Sequence, residues 1–436
     1  MEKSLWSDSV ELPKFDRLNK DKKVDVLIIG GGICGILCAY LLKQAGIDYI
    51  LVEADRIAQG ITCNTTAKIT SLHGLIYDEL IGSIGKEGAQ KYLTANENAV
   101  KKYDQLCNNI DCDYKTLSSY TYSINNRSKI EKEVRALNDL GVKAKFSVET
   151  PLPFEIDGCV GMKNQAQFNP LKFIASISKD LNIYENTMVY DIKANYALCD
   201  GFKIHANKII VATHFPFMNK HGSYFLKQYQ HRSYVLAIEN AQDVNGLYVD
   251  EAQDGLSFRN SNNLLLLGGG GKRTGKPCGN WRELIEFQKQ YYHNSKVIYK
   301  WATQDCMTLD KIPYIGQYSA NTPNLYVATG FNKWGITSSM VAATILCDMI
   351  QDIKNVHEDI FSPSRSILKP QLLANGFEAI INLAYPTTKR CPHLGCALKW
   401  NKAEHTWDCS CHGSRFEKDG ILINNPAKKD AKVEQK

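Results

Sequence analysis

Four side chains near the C-terminal end of this 436-residue chain have the types and spacing of metal ligands. Cys391 and His393 lie in one short segment, and Cys409 and His412 lie in another. Each segment therefore offers one thiolate and one imidazole, a set that can bind a [2Fe-2S] cluster with the sulfurs on one iron and the nitrogens on the other. Two thiolates cancel the charge of the oxidised iron–sulfide core, whereas four leave it negative. The mixed ligand set therefore accepts an electron more readily.

Zinc is the alternative for this ligand set, because two cysteines and two histidines also form structural zinc sites. Zinc ligands usually come in Cys-x-x-Cys or His-x-x-x-His pairs. This chain instead has Cys-x-His followed by Cys-x-x-His. The spacing therefore favours the iron–sulfur cluster.

The two segments resemble the cluster-binding loops of Rieske iron–sulfur proteins; they read Cys391-Pro392-His393-Leu394-Gly395-Cys396 and Cys409-Ser410-Cys411-His412-Gly413-Ser414. The resemblance implies that the four ligands named above hold the cluster and that a disulfide between Cys396 and Cys411 joins the loops. Two buried free thiols are the alternative for that pair. Ser410 stands where such loops usually have proline. The stretch before Cys391 is short, so we expect an abbreviated domain.

A glycine-rich turn near the N-terminus indicates a dinucleotide site. A strand pattern runs into Gly30, Gly32 and Gly35, an apolar helix pattern follows, and a second strand pattern ends at Glu53. The first glycine permits a tight turn, the second lets the backbone approach a pyrophosphate, and the third lets the helix pack closely on the strand. The helix N-terminus attracts the phosphates, and Glu53 is placed to accept hydrogen bonds from the adenosine ribose. A glycine turn without a ligand is the alternative, which the complete strand–helix–strand–acid order disfavours.

Two further segments distinguish FAD from NAD; they read Gly60-Ile61-Thr62-Cys63-Asn64-Thr65-Thr66-Ala67-Lys68 and Asn324-Leu325-Tyr326-Val327-Ala328-Thr329-Gly330-Phe331-Asn332-Lys333-Trp334-Gly335-Ile336-Thr337. Both resemble flavin-contacting segments of the D-amino-acid-oxidase-like (DAO) family of FAD-dependent oxidoreductases. The resemblance implies FAD as cofactor, with contacts from Thr62, Thr66, Ala212, Gly330, Gly335, Ile336 and Thr337. No second Gly-x-Gly-x-x-Gly occurs, which disfavours an enzyme that also binds NAD(P)H.

The same resemblance implies an α/β fold: a Rossmann-like FAD-binding domain interleaved with an α+β substrate domain, plus a small C-terminal all-β Rieske-type domain. We expect the oxidoreductase module at residues 20–365, with its FAD-binding layer built from about 20–80, 155–215 and 305–355. A linker at 366–385, the Rieske domain at 386–428 and a disordered tail at 429–436 complete the prediction.

The substrate site is less well defined by the sequence. Amino-acid oxidases of this family often carry an arginine after Trp-x-Gly, but the corresponding stretch here is Trp301-Ala302-Thr303-Gln304-Asp305. A buried substrate carboxylate needs a cationic partner, so Arg232 and Arg259 are candidates, with surface ion pairing as the alternative. His214, where a strand should meet the flavin, and Tyr314 are also catalytic candidates; a packing role is the alternative for each.

Composition excludes several other classes. The chain is 44% hydrophobic and 22% charged with a net charge of +6, and no Lys/Arg run interleaved with aromatics suggests a nucleic-acid partner. The apolar stretch after Lys23 is interrupted by Gly30–Gly32, so we expect no transmembrane segment. Most of the 14 cysteines are scattered without paired spacing, which is typical of the reducing cytoplasm and predicts that location.

Together these patterns predict an FAD-dependent oxidoreductase that oxidises a small-molecule substrate, namely an amine, an amino acid or a hydroxy acid, by hydride transfer to FAD. Because a flavin takes up two electrons and the cluster carries one, electrons would pass singly through the cluster. The external acceptor would be a ferredoxin-like protein or a quinone. The alternative is a non-catalytic flavin and iron–sulfur electron carrier or redox sensor.

Overall fold

The computed structural model describes residues 3–277 and 280–433. In chain order its strands are β1 Lys22–Ile29, β2 Tyr49–Val52, β3 Lys68–Ile69, β4 Lys115–Ser123, β5 Lys145–Ser147, β6 Gly158–Gln167, β7 Ile183–Tyr184, β8 Val189–Ile192, β9 Tyr196–Cys199, β10 Lys203–Val211, β11 Gln228–Glu239, β12 Leu247–Asp250, β13 Ser257–Ser261, β14 Leu264–Arg273, β15 Lys296–Thr308, β16 Tyr314–Gln317, β17 Leu325–Thr329, β18 Leu398–Asn401, β19 Thr406–Cys409, β20 Arg415–Phe416 and β21 Leu422–Asn424. Its helices are α1 Ile33–Gln44, α2 Ile61–Asn64, α3 Tyr77–Cys107, α4 Arg127–Asp139, α5 Pro170–Ile177, α6 Tyr224–Lys227, α7 Arg282–Tyr291, α8 Gly335–Ile350, α9 Glu358–Phe361 and α10 Pro370–Ala384, with a 3-10 helix at Leu5–Asp8.

The first sheet has the order β16-β17-β10-β1-β2-β7, and β17, β10, β1, β2 and β7 run parallel. The last four residues of β1 are all buried, as expected for a central parallel strand covered on both faces. On one face Val26 and Ile28 pack with α1 and α8. On the other face Leu27 and Ile29 pack with the antiparallel strands β8 and β9. This is the predicted Rossmann-like layer.

The second sheet has the order β15-β11-β14-β13-β12-β4-β6-β3 and is mixed, with β5 added at β6. Helix α7 packs on it through Leu284, which joins a cluster around Phe258. Strands β3 and β6 belong to this sheet although they fall inside the stretches expected to form the FAD-binding layer. The reason is that Lys68 and Ile69 pair with Gln167 and Ala166, so the chain crosses between sheets directly after α2.

A small third sheet, β18-β19-β20-β21, forms the C-terminal domain. Two expectations about this region differ from the structure. Residues 366–385, expected to be a linker, mostly form the helix α10. The predicted disorder of the tail is wrong for residues 429–433: Ala431 is buried, and its N–H donates to Gly420 O at 2.9 Å. Residues 434–436 lie outside the described part of the chain.

Candidate functional site

The turn between β1 and α1 is built as the sequence predicts. Gly30 has φ 111°, and a Cβ added there would lie 2.6 Å from Ala212 O. A Cβ on Gly35 would lie 1.9 Å from Gly30 O, so only glycine allows α1 to approach β1 this closely. Thr62 Oγ1 accepts a hydrogen bond of 3.0 Å from Ile33 N at the start of α1. The first residues of this helix, Ile33 and Cys34, line the adjoining cavity.

Glu53 closes this end of the site. Its carboxylate accepts hydrogen bonds from Gly31 N at 2.6 Å and Asp55 N at 3.0 Å. Burial raises the pKa of Glu53, and these two N–H groups partly oppose the increase. The acid thus stands at the end of β2, on the wall of the same cavity that Gly30 and Gly32 line.

The turn between β17 and α8 forms the other end. Gly330, Asn332 and Lys333 all have positive φ values, of 74°, 49° and 73°. Asn332 holds the turn, since its Oδ1 accepts from Thr308 N at 2.8 Å and its Nδ2 donates to Gly330 O at 2.6 Å. Strained non-glycine conformations often mark functional sites, and here they direct the N-terminus of α8 at the cavity.

One continuous cavity of about 1840 Å³ connects the two turns. Among the predicted cofactor residues, its wall contains Gly30, Gly32, Glu53, Thr62, Thr66, Ala212, Gly330, Gly335 and Ile336. Gly35 lies behind the wall against Gly30 O, and Thr337 Oγ1 donates to Thr70 O at 3.0 Å instead. An elongated cavity with glycines and a helix N-terminus at each end suits a dinucleotide that carries a second ring system. The residues present therefore fit FAD.

Both candidate arginines are engaged by protein groups. Arg232 forms a two-pronged ion pair with Glu404, and its Nε donates at 2.6 Å. Arg259 donates to Thr66 O at 2.8 Å and Ala67 O at 2.7 Å, and burial lowers its pKa to about 9. Arg232 also lies on the cavity wall, whereas Arg259 is not among the residues that line it. Both guanidinium groups have protein partners, and their role in binding a substrate carboxylate stays a prediction.

The other two catalytic candidates differ in position. His214 lies on the cavity wall, and burial lowers its pKa to about 4, which keeps the ring neutral near pH 7. Its Nε2 donates to Gln230 Oε1 at 3.1 Å, so Nδ1 is left as an acceptor. Tyr314 is buried away from the cavity, with the Arg365 guanidinium 3.9 Å from its ring centroid. The packing alternative therefore describes Tyr314.

Lys333 is a cavity residue that the sequence did not single out. Its Nζ donates to Gln253 O at 2.7 Å, and no acidic side chain within residues 3–277 and 280–433 forms an ion pair with it. Burial lowers the pKa of Lys333, and the charge of Asp305 partly opposes this. Burial also raises the pKa of Asp305 to about 6. Lys333 belongs to the segment 324–337 that resembles a flavin-contacting segment. The direction of its side chain depends on a left-handed backbone conformation, which the spacing of residues does not reveal.

The two predicted histidine ligands converge. His393 Nδ1 and His412 Nδ1 are 3.3 Å apart, with ring planes at 89°. Each ring donates its Nε2–H to an oxygen of the larger module: His393 to Asn219 Oδ1 at 2.9 Å and His412 to Phe225 O at 3.0 Å. Burial lowers the pKa of His393 to about 4 and that of His412 to about 3. Both rings are therefore neutral with a free Nδ1 lone pair, which is the form that binds metal.

The cysteines complete this donor set. Cys391 and Cys409 are buried and hydrogen-bonded to one another, and that bond lowers the pKa of Cys409. Backbone N–H groups of residues 411–413 also favour the Cys409 thiolate. Cys396 and Cys411 form the disulfide that the resemblance implies, directly beside Cys409. The same hydrogen bond and burial raise the pKa of Cys391. Two cysteine sulfurs and two neutral imidazoles on adjoining loops fit a [2Fe-2S] cluster of mixed ligation.

Gln304 on the cavity wall, and Phe215 and Gln230 next to wall residues, contact the cluster loops. The Phe215 ring centroid lies 6.5 Å from that of His393 and 6.1 Å from that of His412. Gln230 accepts from His214 at its Oε1 and donates through its Nε2 to His412 O at 2.9 Å. Gln304 Nε2 donates both to Gln230 Oε1, at 2.5 Å, and to Gly413 O, at 2.9 Å. A short polar connection thus joins the cavity to the ligand loop.

An ion-pair network fixes the C-terminal domain in this position. Glu404 binds Arg232 of β11 and also accepts from Arg415 NH2 at 2.9 Å. Burial raises the pKa of Glu404, but the charges of Arg232 and Arg415 outweigh it and the pKa falls to about 2. Arg273 of β14 adds hydrogen bonds to Ser410 O and Cys411 O at 3.0 and 3.2 Å.

Comparison with known proteins agrees with both halves of the site. Residues 25–349 match the FAD dependent oxidoreductase (DAO) family, and residues 382–434 match the Rieske [2Fe-2S] domain. The chain is 35% identical over 492 residues to the putative Rieske 2Fe-2S iron-sulfur protein YhfW of Bacillus subtilis, covering 98% of this chain and 97% of that protein. Over 37 residues, 8% of this chain and 16% of the relative, it is 49% identical to the chloroplastic cytochrome b6-f complex iron-sulfur subunit of Fritillaria agrestis.

Solved structures give the same fold for the larger module. Glycine oxidase from Geobacillus kaustophilus superposes with a TM-score of 0.66 at 15% identity, over 79% of this chain and 100% of that one. L-proline dehydrogenase from P. horikoshii also gives 0.66, at 14% identity, over 79% and 98%. Within the described residues, no helix combines the length and hydropathy needed to cross a membrane.

Proposed function

The chain belongs to the FAD-dependent oxidoreductase (DAO) family and ends in a Rieske [2Fe-2S] domain, and from this premise we propose that it oxidises a small amine, amino acid or hydroxy acid and delivers the electrons singly to an external acceptor. The acceptor would be a ferredoxin-like protein or a quinone. FAD supplies two-electron uptake as hydride, and the cluster supplies one-electron transfer.

The observation that carries this proposal is the contact between the flavin cavity and the cluster ligands. The segment Thr213–Phe215 serves both, because Thr213 and His214 line the cavity while the Phe215 ring stands against both histidine ligands. Asn425 Nδ2, from the C-terminal domain, donates to Thr213 O at 2.6 Å and Phe215 O at 2.9 Å. A chain that merely stored electrons at two separate centres would not need this shared segment.

An amino acid is the substrate class that we favour. The structural neighbours named above include a glycine oxidase and an L-proline dehydrogenase, and both names refer to amino-acid substrates. Among the several cations that line the cavity, we assign the substrate carboxylate to Lys333, since its Nζ contacts only the neutral Gln253 O among the described hydrogen bonds. His214 Nδ1 offers an acceptor for a substrate amine or hydroxyl.

Anaerobic mixing of the purified protein with a panel of amines, amino acids and hydroxy acids tests the proposal. We expect at least one amino acid to bleach the flavin absorbance, followed by reduction of the cluster absorbance on a slower phase. The variant Lys333→Met should weaken the apparent affinity for carboxylate substrates by about tenfold or more while leaving amines without a carboxylate unaffected. Flavin bleaching without any change in the cluster spectrum would contradict the relay, and a panel without effect would contradict the substrate classes.

A further inference from the structure

Helix α10 has its polar side facing the protein and its apolar side facing outward. Its buried residues are Asn375, Glu378 and Asn382. Its exposed residues include four large apolar side chains, and the exposed fractions are 78% for Leu373, 67% for Phe377, 66% for Ile380 and 42% for Ile381. These four lie at helical spacing on one face. A helix that only packed on the core would have the opposite arrangement.

The polar side is held by specific contacts, so the helix is fixed in this orientation. Asn375 Oδ1 accepts from Arg273 NH1 at 2.9 Å, and its Nδ2 donates to Leu226 O at 3.2 Å. Glu378 forms an ion pair of 2.5 Å with Lys276 Nζ. Rotating α10 so that its apolar side chains become buried would break these bonds. The Glu378 carboxylate would then lose its ion pair with Lys276, which is costly for a buried acid.

The apolar surface continues beyond the helix. Leu368, Leu383, Tyr385 and Leu394 are also exposed, at 84%, 50%, 50% and 39%. We call these residues, together with Leu373, Phe377, Ile380 and Ile381, the apolar patch. Leu394 belongs to the loop that carries Cys391 and His393, and the neighbouring Ala397 N donates to Asn382 O at 3.0 Å. The patch therefore reaches from α10 to the first cluster loop. Patches of this extent on a soluble fold mark interaction sites.

The basic residues that flank the patch in the sequence are Lys369, at the N-terminal end of α10, and Lys389 and Arg390, after its C-terminal end; all three are partly exposed. Lys389 Nζ lies 4.2 Å from the Trp407 ring centroid, and the Arg390 guanidinium donates to backbone carbonyls at the end of α10. The only acid between residues 368 and 394 is Glu378, which is buried and paired. An apolar face with basic residues at both ends and a tyrosine at its edge has the composition of a helix that lies in the interface of an anionic membrane.

A second copy of the chain is a poorer occupant. Antiparallel pairing of two α10 helices would place Lys369 of one copy beside Lys389 and Arg390 of the other. Parallel pairing would place the Lys369 side chains of the two copies beside each other, so both arrangements bring like charges together. No exposed acid in this segment could neutralise either contact.

We propose that the apolar patch docks the protein on an anionic phospholipid bilayer, with α10 lying in the plane of the interface. Docking brings the first cluster loop to the membrane surface. Of the two acceptors named under the proposed function, this favours the lipid-soluble quinone; that consequence alone rests on the proposed function.

Flotation of the intact holoprotein with vesicles tests the docking independently of activity. We expect binding to vesicles of phosphatidylcholine and phosphatidylglycerol, and weaker binding to phosphatidylcholine alone. The variant Leu373→Gln/Phe377→Gln/Ile380→Gln should reduce the bound fraction by about tenfold or more. The control Ile124→Gln/Ile353→Gln/Val356→Gln changes apolar residues that are also exposed, at 52%, 52% and 69%, but lie outside the patch, and it should bind as the wild type does.

Flavin absorbance and the paramagnetic resonance signal of the reduced cluster report whether each variant is folded. Absence of binding to anionic vesicles by a folded wild-type protein would overturn the proposal, as would binding that the patch variant retains. Analytical ultracentrifugation adds a third outcome: a dimer that the patch variant dissociates, without vesicle binding, would assign the patch to a second copy instead.

Discussion

At the scale of single residues, the two histidines show how neighbours select a tautomer. Each imidazole donates its Nε2–H to an oxygen outside the loop, Asn219 Oδ1 for His393 and Phe225 O for His412. The Nδ1 atoms are then left without protons and point toward each other at 3.3 Å. Residues of the flavin module thus set the metal-binding form of side chains that belong to the C-terminal domain.

The replacement Cys409→Ser tests the ligand assignment. A serine hydroxyl is a poor iron ligand in place of a thiolate, so we expect the purified variant to lose the cluster absorbance and the rhombic paramagnetic resonance signal after reduction. Flavin absorbance should be unchanged, because the FAD cavity is lined by other residues. The control Cys159→Ser replaces an equally buried thiol on the second sheet and should keep both spectra. A native cluster signal in Cys409→Ser would show that the ligand set is different.

The ligand pattern was predictable from sequence because all four residues lie within a short segment with characteristic spacing. The partners of Arg232 and Arg259 were not. Arg232 pairs with Glu404, 172 positions away, and Arg259 binds the carbonyl of Ala67, 192 positions away. No local pattern encodes such pairings, so the sequence alone could not show which protein groups the two arginines bind.

At the scale of elements, the turn between β17 and α8 combines three residues of positive φ with one side chain that holds them. The resemblance implied flavin contacts for this segment, in which a strand ends and a helix begins. The sequence did not predict the left-handed conformations of Asn332 and Lys333, because side chains other than glycine adopt them only where surrounding contacts compensate.

The replacement Asn332→Ala should destabilise this turn. It removes the acceptor of Thr308 N and the donor to Gly330 O, and alanine tolerates the φ of 49° less well than asparagine does. We expect a loss of about 2–4 kcal/mol in the free energy of unfolding and release of flavin, measured by denaturant titration and free-flavin fluorescence. The control Asn262→Ala has a similar φ of 51° on an exposed hairpin and should cost only about 1 kcal/mol. Equal losses in the two variants would contradict the role of the Asn332 side chain.

The C-terminal elements were the least predictable. Residues 366–385 were expected to be a linker, yet α10 lies there. Asn375 and Glu378 bind partners on the larger module, and the Asn382 carbonyl accepts from Ala397 N after the first cluster loop. The same holds for residues 429–433, whose order depends on contacts with Gly420 and its neighbours. In both cases tertiary contacts decide the structure, and single-segment patterns do not contain them.

At the scale of the whole molecule, a buried network of Arg232, Glu404 and Arg415 fixes the two modules against each other. All three side chains are at most 10% exposed, so removing one leaves a charge in a poorly solvated place. The modules are therefore expected to unfold together.

The pH dependence of stability tests this network. The pKa of Glu404 falls from 4.5 to about 2 on folding, and a lowered pKa contributes stability that is complete above the unfolded value and lost as pH falls toward the folded value. At neutral pH we expect Glu404→Gln to be less stable than the wild type by about 3 kcal/mol, and the difference should shrink between about pH 4.5 and pH 2.

Denaturant unfolding followed by tryptophan fluorescence at several pH values measures this difference. The control Glu79→Gln removes an exposed partner of Lys311 and should show a small difference at every pH. A gap between Glu404→Gln and wild type that stays constant on acidification would rule out Glu404 as the titrating group.

The position of the docking face along the chain has a consequence for biogenesis. Asn219, Phe225 and Gln230, which receive the histidine loops, precede those loops by more than a hundred residues. Since a nascent chain folds from its N-terminus as it leaves the ribosome, this face is complete before His412 has been synthesised. The two cluster loops then fold against a surface that has already formed. The small C-terminal domain, which would be marginally stable alone, can therefore fold against the flavin module that is proposed to supply its cluster with electrons.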